Sequence, residues 1–330
     1  MTETETKEEK NKKRKKQKKL NPFLLFTSSL LVFTLIGFSI LFHFSISITP
    51  KWIVKYTQDG IEILVNPEIL EMRAVEIEEE LEYKVTPEGG IAIPVQWNAL
   101  GAQMVNAGVI DKEKFYALYE RRGGLEDREE RLLDEGYNGN IVIDAKNSNV
   151  ILNLLWALGL ANRNDILENG PMTDERYGGD ASKFAATGGW TLAEGNPMDH
   201  YSAHQMIKLS DEQQKLVEEV TKNIYRPCCG NSTYFPDCNH GMAMLGLIQL
   251  MASQGATEDE MYKTALGVNS FWFPSTYMTI GKYFAKRGVA WDEINAKEIL
   301  GSSYSSAQGY RAIAQEVEPV NSGGGGSCGV

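Results

Sequence analysis

Pro22 to Ile48 is a run of 27 residues without one charged side chain, and no other feature restricts the fold of this chain as severely. A helix of that length rises about 1.5 Å per residue and so exceeds the roughly 30 Å hydrocarbon core of a bilayer, which it spans with some tilt. Directly before it lies Lys12-Lys-Arg-Lys-Lys16, followed by Lys18 and Lys19. An excess of Lys and Arg on one flank holds that flank in the cytoplasm. The expectation is a single-pass protein of the cell membrane, with a basic cytoplasmic tail over 1–20, a transmembrane helix over 21–49 and an extracytoplasmic body. Its first partner is then the lipid bilayer. A cleavable signal peptide is the alternative, with Ser45-Ile-Ser47 as a small-x-small triplet, but a secretory apolar region is normally about 7–15 residues long and this one is nearly twice that.

Charge narrows the function of the body. The 330 residues carry 33 basic and 44 acidic side chains, of which residues 1–20 hold nine and four, so the 280 residues beyond the span hold 24 and 40. A body this acidic lacks the basic face that replaces phosphate counterions, which argues against nucleic acid as a partner. With 42% hydrophobic residues and four cysteines, the chain builds a core and is not a disulfide-stapled miniprotein.

Beyond the span, Trp52–Tyr56 and Ile61–Val65 flank Gln58-Asp-Gly60 and predict a hairpin. Glu68 to Tyr83 is ambiguous between helix and strand, and Ile91–Val95 after Gly89-Gly90 predicts a short strand. The pattern then becomes helical over Leu100–Val105, Lys112–Arg121 and Val150–Leu160, each at helical spacing with glycine punctuation. Residues 162–200, rich in Gly, Asn, Asp and Pro, read as a connection. Ser210-Asp-Glu-Gln213 is a capping-box pattern, and Leu216, Val217, Val220 and Ile224 extend it as one apolar stripe, so a helix is expected over 211–225. Gly241 to Gln254 is apolar on nearly all sides, as a helix buried within a bundle is. A second capping box, Thr257-Glu-Asp-Glu260, opens a third helix expected to end near Gly267. The fold class is mostly α: an N-terminal transmembrane helix, a small β element after it, and a helical ectodomain containing a three-helix Cys/His hairpin unit. The segments are 50–97 (juxtamembrane, β-containing), 98–200 (helical with a Gly-rich connection), 201–316 (Cys/His helical domain) and 317–330 (flexible Gly-rich tail with Cys328).

The chemistry concentrates in one window. His200, His204, Cys228, Cys229, Cys238 and His240 fall within 41 residues, and of the soft ligands in the body only Cys328 lies outside. Thiolate and imidazole bind zinc, copper and iron centres, and thioether adds affinity for Cu(I), so Met206, Met242 and Met244 add to the picture. The expected metal ligands are Cys228, Cys229, Cys238 and His240, with His204 as an additional one; copper, zinc or haem is the cofactor. Trp272, between Phe271 and Phe273, with Tyr277 and Tyr283, forms either an aromatic pocket for a flat ligand or core packing. Cys238 also sits where a helix begins, which favours a thiolate, and Arg226 adds a fixed positive charge. Exchange-active thiols are therefore a second possibility, with Cys228, Cys229, Cys238 and a resolving Cys328 as the reactive set. A plain disulfide joining Cys238 to Cys228 or Cys229 is the third. Asn231-Ser-Thr233 is a glycosylation sequon that in this setting shapes the turn.

Arg226-Pro-Cys-Cys-Gly-Asn-Ser232, Asp237-Cys-Asn239, a long helix and Gly255-Ala-Thr-Glu-Asp-Glu260 together resemble the thiol domain of CcmH-type cytochrome c maturation proteins, over residues about 211–268. They are also similar to the extracytoplasmic family with a Pro-Cys-Tyr-Cys-Gly-Cys motif. The resemblance implies a membrane-anchored helical hairpin with a thiol site at Cys228 and Cys229, and a role in thiol reduction or in handling haem or metal. A redox or metal-delivery protein is the partner it implies. Cys238 stands where the CcmH pattern has Ser.

Overall fold

The computed structural model describes residues 52–57, 60–65, 67–134 and 139–317. The expected cytoplasmic tail 1–20, the expected span 21–49 and the tail carrying Cys328 lie outside the described residues. Among the described residues no helix is long and apolar enough to cross a membrane.

The chain divides into two units, Met1–Ala74 and Val75–Val330. In the first, β1 (Trp52–Thr57) and β2 (Gly60–Val65) pair antiparallel from Trp52 opposite Val65 to Thr57 opposite Gly60, which is the expected hairpin. The stretch that was ambiguous is helical: α1 runs over Pro67–Val85, beginning with proline at its first position, where no N–H is missed.

The second unit begins within α1 and contains β3 (Ile91–Gln96), α2 (Leu100–Asn106) and α3 (Lys112–Glu120). It also contains a strand that the sequence reading did not include, β4 (Asn140–Ile143). β4 pairs antiparallel with β3, Ile91 opposite Ile143 and Gln96 opposite Asn140, with a register shift between Ala92 and Gln96. Ile141 and Ile143 point inward and are buried, the alternation of a half-buried strand.

The core is built on two helices that are apolar all round, α4 (Ser148–Ala161) and α6 (Asn239–Ser253), with α5 (Asp211–Asn223) lying against α6. The first two cross where glycine faces glycine. A Cβ on Gly159 would collide with the Met242 carbonyl, and one on Gly246 with the Leu155 carbonyl. That crossing packs a helix of the expected 98–200 segment against one of the expected 201–316 segment within the Val75–Val330 unit. α5 opens on the predicted capping box, Ser210 with Gln213, and buries Val217, Val220 and Thr221. α7 (Glu258–Trp272) opens on the second box, Thr257 with Glu260, but does not stop at Gly267. The Cδ1 of Ile91 occupies the space where a side chain at 267 would lie; the glycine makes room for β3 and is no helix stop. α8 (Pro274–Ala285) and α9 (Ala307–Val317) pack against each other, and Leu81 of α1 lies against Gly281 of α8. The Gly- and Asn-rich connection 162–200 is a chain of single turns, including Asp165–Asn169 and Ala185–Gly188.

Candidate metal and thiol centre

The site lies in the loop from the end of α5 to the start of α6, Ile224 to Cys238. Tyr225 donates its N–H to the Leu300 carbonyl (2.8 Å), Thr233 donates its N–H and its hydroxyl to the Ile224 carbonyl, and Ala307 donates its N–H to the Cys229 carbonyl (2.9 Å). The loop is thereby tied at both ends to the packed helices. Cys238 is the N-cap residue of α6, its carbonyl accepting from the Met242 N–H.

Arg226 organises the loop from within. It is 1% exposed and spends its guanidinium on four acceptors: Nε on Cys238 Sγ (3.1 Å), Nη1 on the Asn231 carbonyl (3.0 Å), and Nη2 on the Phe235 carbonyl (3.0 Å) and on Asp237 Oδ1. The planar fork is suited to serving several acceptors at once. Asp237 Oδ2 accepts in turn from Asn231 Nδ2 (2.8 Å). The guanidinium lies flat on Gly241, where a Cβ would come within 2.6 Å of Cζ. Asn231, the sequon residue, is thus a structural member of the turn.

Three sulfurs converge beside this arginine. The Sγ atoms of Cys228, Cys229 and Cys238 lie within 4.8 Å of one another, a grouping that can hold a metal ion. Cys228 and Cys238 are 3.7 Å apart. All three are free thiols and half-buried, so neither expected disulfide is present. Their protons are unequally held. Hydrogen bonding from Cys228 and then Cys229 draws Cys238 well below the usual thiol range, against the effect of burial and with further help from Arg226 and His240. Cys228 moves the other way, through its bonding to Cys229 and Cys238 and through burial. Cys229 is pulled down by Cys228, but Cys238 and burial outweigh this and it rises to about 11. Burial alone would weaken the Arg226 charge; Cys238, Cys229 and Asp237 reverse that and raise it. Of the three sulfurs, Cys238 is the one whose surroundings favour the thiolate, beside the buried guanidinium.

The histidines part company with the sulfurs. His240 is outside the three-sulfur group, although it lies close enough to Cys238 to favour the thiolate. Its ring packs against Phe273 (centroids 4.4 Å) and Trp272 (5.6 Å), and its buried Nδ1 has no hydrogen-bond partner. Trp272 and Phe273 are therefore packing around His240, with Trp272 Nε1 donating to the Ser148 carbonyl (3.2 Å), while Tyr277 packs on Trp291 and Tyr283 on Phe284 and Tyr304.

His204 is not a member of the three-sulfur group. His204 forms a bridge with Asn162, and Asn162 Nδ2 donates to Gln249 Oε1 (2.7 Å) near the far end of α6. Ten residues of helix separate Gln249 from the start of α6, roughly 15 Å of rise. There His204 meets His200, Nε2 to Nδ1 at 3.0 Å with the rings stacked, while His200 Nε2 faces the Glu194 carbonyl (3.0 Å). A carbonyl only accepts, so His200 carries its proton on Nε2 and accepts from His204 on Nδ1. Burial, then His200, lowers the His204 pKa. Of the methionines, Met242 and Met244 are fully buried in the α6 core and Met206 is packed against it.

The sequence reading missed Asp237 and Gly241. Both flank Cys238, and a signal for each was present: an acid beside an arginine-containing loop, and a glycine in the first turn of a helix otherwise made of large residues.

Comparison with family models, with curated proteins and with solved structures finds no match to this chain.

Proposed function

We propose that this protein binds a soft metal ion, copper(I), through the sulfurs of Cys228, Cys229 and Cys238. The observation that carries the reading is the convergence of three free sulfurs within 4.8 Å in a loop fixed by a buried arginine. An all-sulfur set suits copper(I); zinc takes four ligands at a structural site, and here no imidazole has joined the three sulfurs. Haem is less well supported, because Trp272 and Phe273, two of the aromatic side chains that would line its pocket, are packed on His240. The anchor over 21–49 and the basic tail support a place on the extracytoplasmic side of a membrane, with a metal-delivery or redox protein as partner.

The test is a titration of the reduced full-length protein with copper(I) in competition with a chromogenic chelator. One copper per chain is expected, lost in Cys238→Ser and little changed in His240→Ala. A reduced protein without stoichiometric affinity would overturn the reading. Accessibility of the body to protease in sealed cells checks its location.

A second reading has its own observation, the 3.7 Å contact between Cys228 and Cys238 with the latter drawn toward thiolate. In thiol–disulfide exchange the Cys238 thiolate attacks one sulfur of a substrate disulfide and expels the other as thiolate. Cys228, losing its proton, then attacks Cys238 Sγ and releases the second substrate thiol, so the substrate gains two electrons and the protein keeps a Cys228–Cys238 disulfide. Cys328, in the sequence reading, is the alternative resolving thiol. A Cys228–Cys238 bridge trapped by alkylation after exposure to an oxidised thiol, and re-opened by mild reductant, would favour this reading over copper binding.

A further inference from the structure

The geometry points to a second ligand for the same three sulfurs: trivalent arsenic, taken up as the uncharged hydroxide, arsenous acid. This inference rests on the three-sulfur reading above, and it follows from the charges the fold has already buried. Arg226 is 1% exposed and paired with Asp237, whose side chain is 21% exposed. The two cancel, so the net charge of a loaded site is that of the centre and its three thiolates. Copper(I) leaves two uncompensated negative charges and a divalent ion leaves one. A trivalent centre leaves none. Uncompensated charge in a desolvated place is costly, and the neutral complex carries none of that cost.

Coordination number agrees. Trivalent arsenic carries a lone pair and takes three ligands on one side, which matches three sulfurs in mutual reach with His240 outside the group. The adjacent pair Cys228 and Cys229 makes no ordinary disulfide with itself without a strained ring, yet both sulfurs can bind one external atom. Entry is also favourable. The sulfurs are half-buried, and an uncharged solute meets no repulsion from the Arg226 guanidinium 3.1 Å from Cys238 Sγ.

The reaction balances without an oxidant. Three As–O bonds break and three As–S bonds form, with arsenic trivalent throughout. Each leaving hydroxide takes one proton, from the thiol that replaces it or from solvent where that sulfur is already a thiolate, and three waters depart.

The experiment uses reduced full-length protein carrying Cys328→Ser, so that only the clustered thiols are counted. Sodium arsenite is titrated in, followed by native mass spectrometry and by counting reactive thiols. One arsenic per chain with all three thiols protected is expected. His240→Ala should bind arsenic as well as the parent. Cys228→Ser, Cys229→Ser and Cys238→Ser should each lose more affinity than the roughly 100-fold that loss of an outer-shell partner costs. Protection of only two thiols, or a Cys→Ser variant that binds undiminished, overturns the inference. If copper(I) binds and arsenite does not, this inference falls and the three-sulfur reading stands; if neither binds, both fall. The thiol count needs no cluster variant, so a variant that fails to fold does not obstruct the test.

Discussion

Arg226 is the residue on which the site depends, because one side chain donates at once to a sulfur, two carbonyls and a carboxylate. Removing one member of a buried charged set costs more than the set contributes, since the remaining charges keep their desolvation and lose their compensation. Arg226→Met should therefore lower unfolding stability by about 3–5 kcal/mol, read from urea denaturation. The same variant should slow alkylation of Cys238 at neutral pH, because the cation that helps hold its thiolate is gone. Undiminished stability and an unchanged alkylation profile would show that the guanidinium is incidental. Sequence alone placed Arg226 near the vicinal pair by counting two positions. The contact that matters is with Cys238, twelve residues on, and only the folded loop makes it.

Elements explain why the sulfurs stay where they are. α6 begins at Cys238 and is pressed against α4 through Gly159 and Gly246, so any change in that crossing moves the helix that carries the third sulfur. Gly246→Ala places a Cβ against the Leu155 carbonyl and the backbone of Gly159. The expected cost is about 1–3 kcal/mol. Gly89→Ala, where nothing lies within 4 Å, should change stability by no more than about 0.5 kcal/mol. Thermal melts of the two variants compare them directly, and equal melting temperatures would mean the crossing is looser than described. The helices themselves were legible beforehand: both capping boxes and the all-round apolarity of α6 are local signals, and they gave the starts of α5 and α7 to within a residue. Gly267 was misread because a glycine that ends a helix and one that admits a neighbour look alike in sequence; here Ile91, far away in the chain, decides. β4 was passed over because a four-residue strand depends on its partner β3 for its existence.

At the scale of the whole molecule, alkaline pH probes the Val75–Val330 unit. Burial is the largest cause that raises the pKa of Tyr119, Tyr201 and Tyr277, and Tyr277 is pushed up from 10.0 to about 12. The unfolded chain ionises these phenols first. Their contribution to stability is thus fully present below pH about 10 and is lost as pH rises toward the folded values. Phenolate absorbance followed alongside circular dichroism should show the buried tyrosines ionising only as the helices melt. Titration near pH 10 in a still-folded protein would contradict the burial. As for the molecule read from its sequence, the chain by itself determined what depends on neighbours in the chain: the uncharged run, the caps, the apolar faces and the crowding of cysteine and histidine into one window. Tertiary structure alone decided which of those ligands meet. Three sulfurs converge because the α5–α6 loop closes around Arg226, while His204, in the same 41-residue window, is carried by its bridge with Asn162 to the opposite end of α6. Helical periodicity is a local property, whereas the end of a helix at which a connection returns is set by packing between segments distant in the chain.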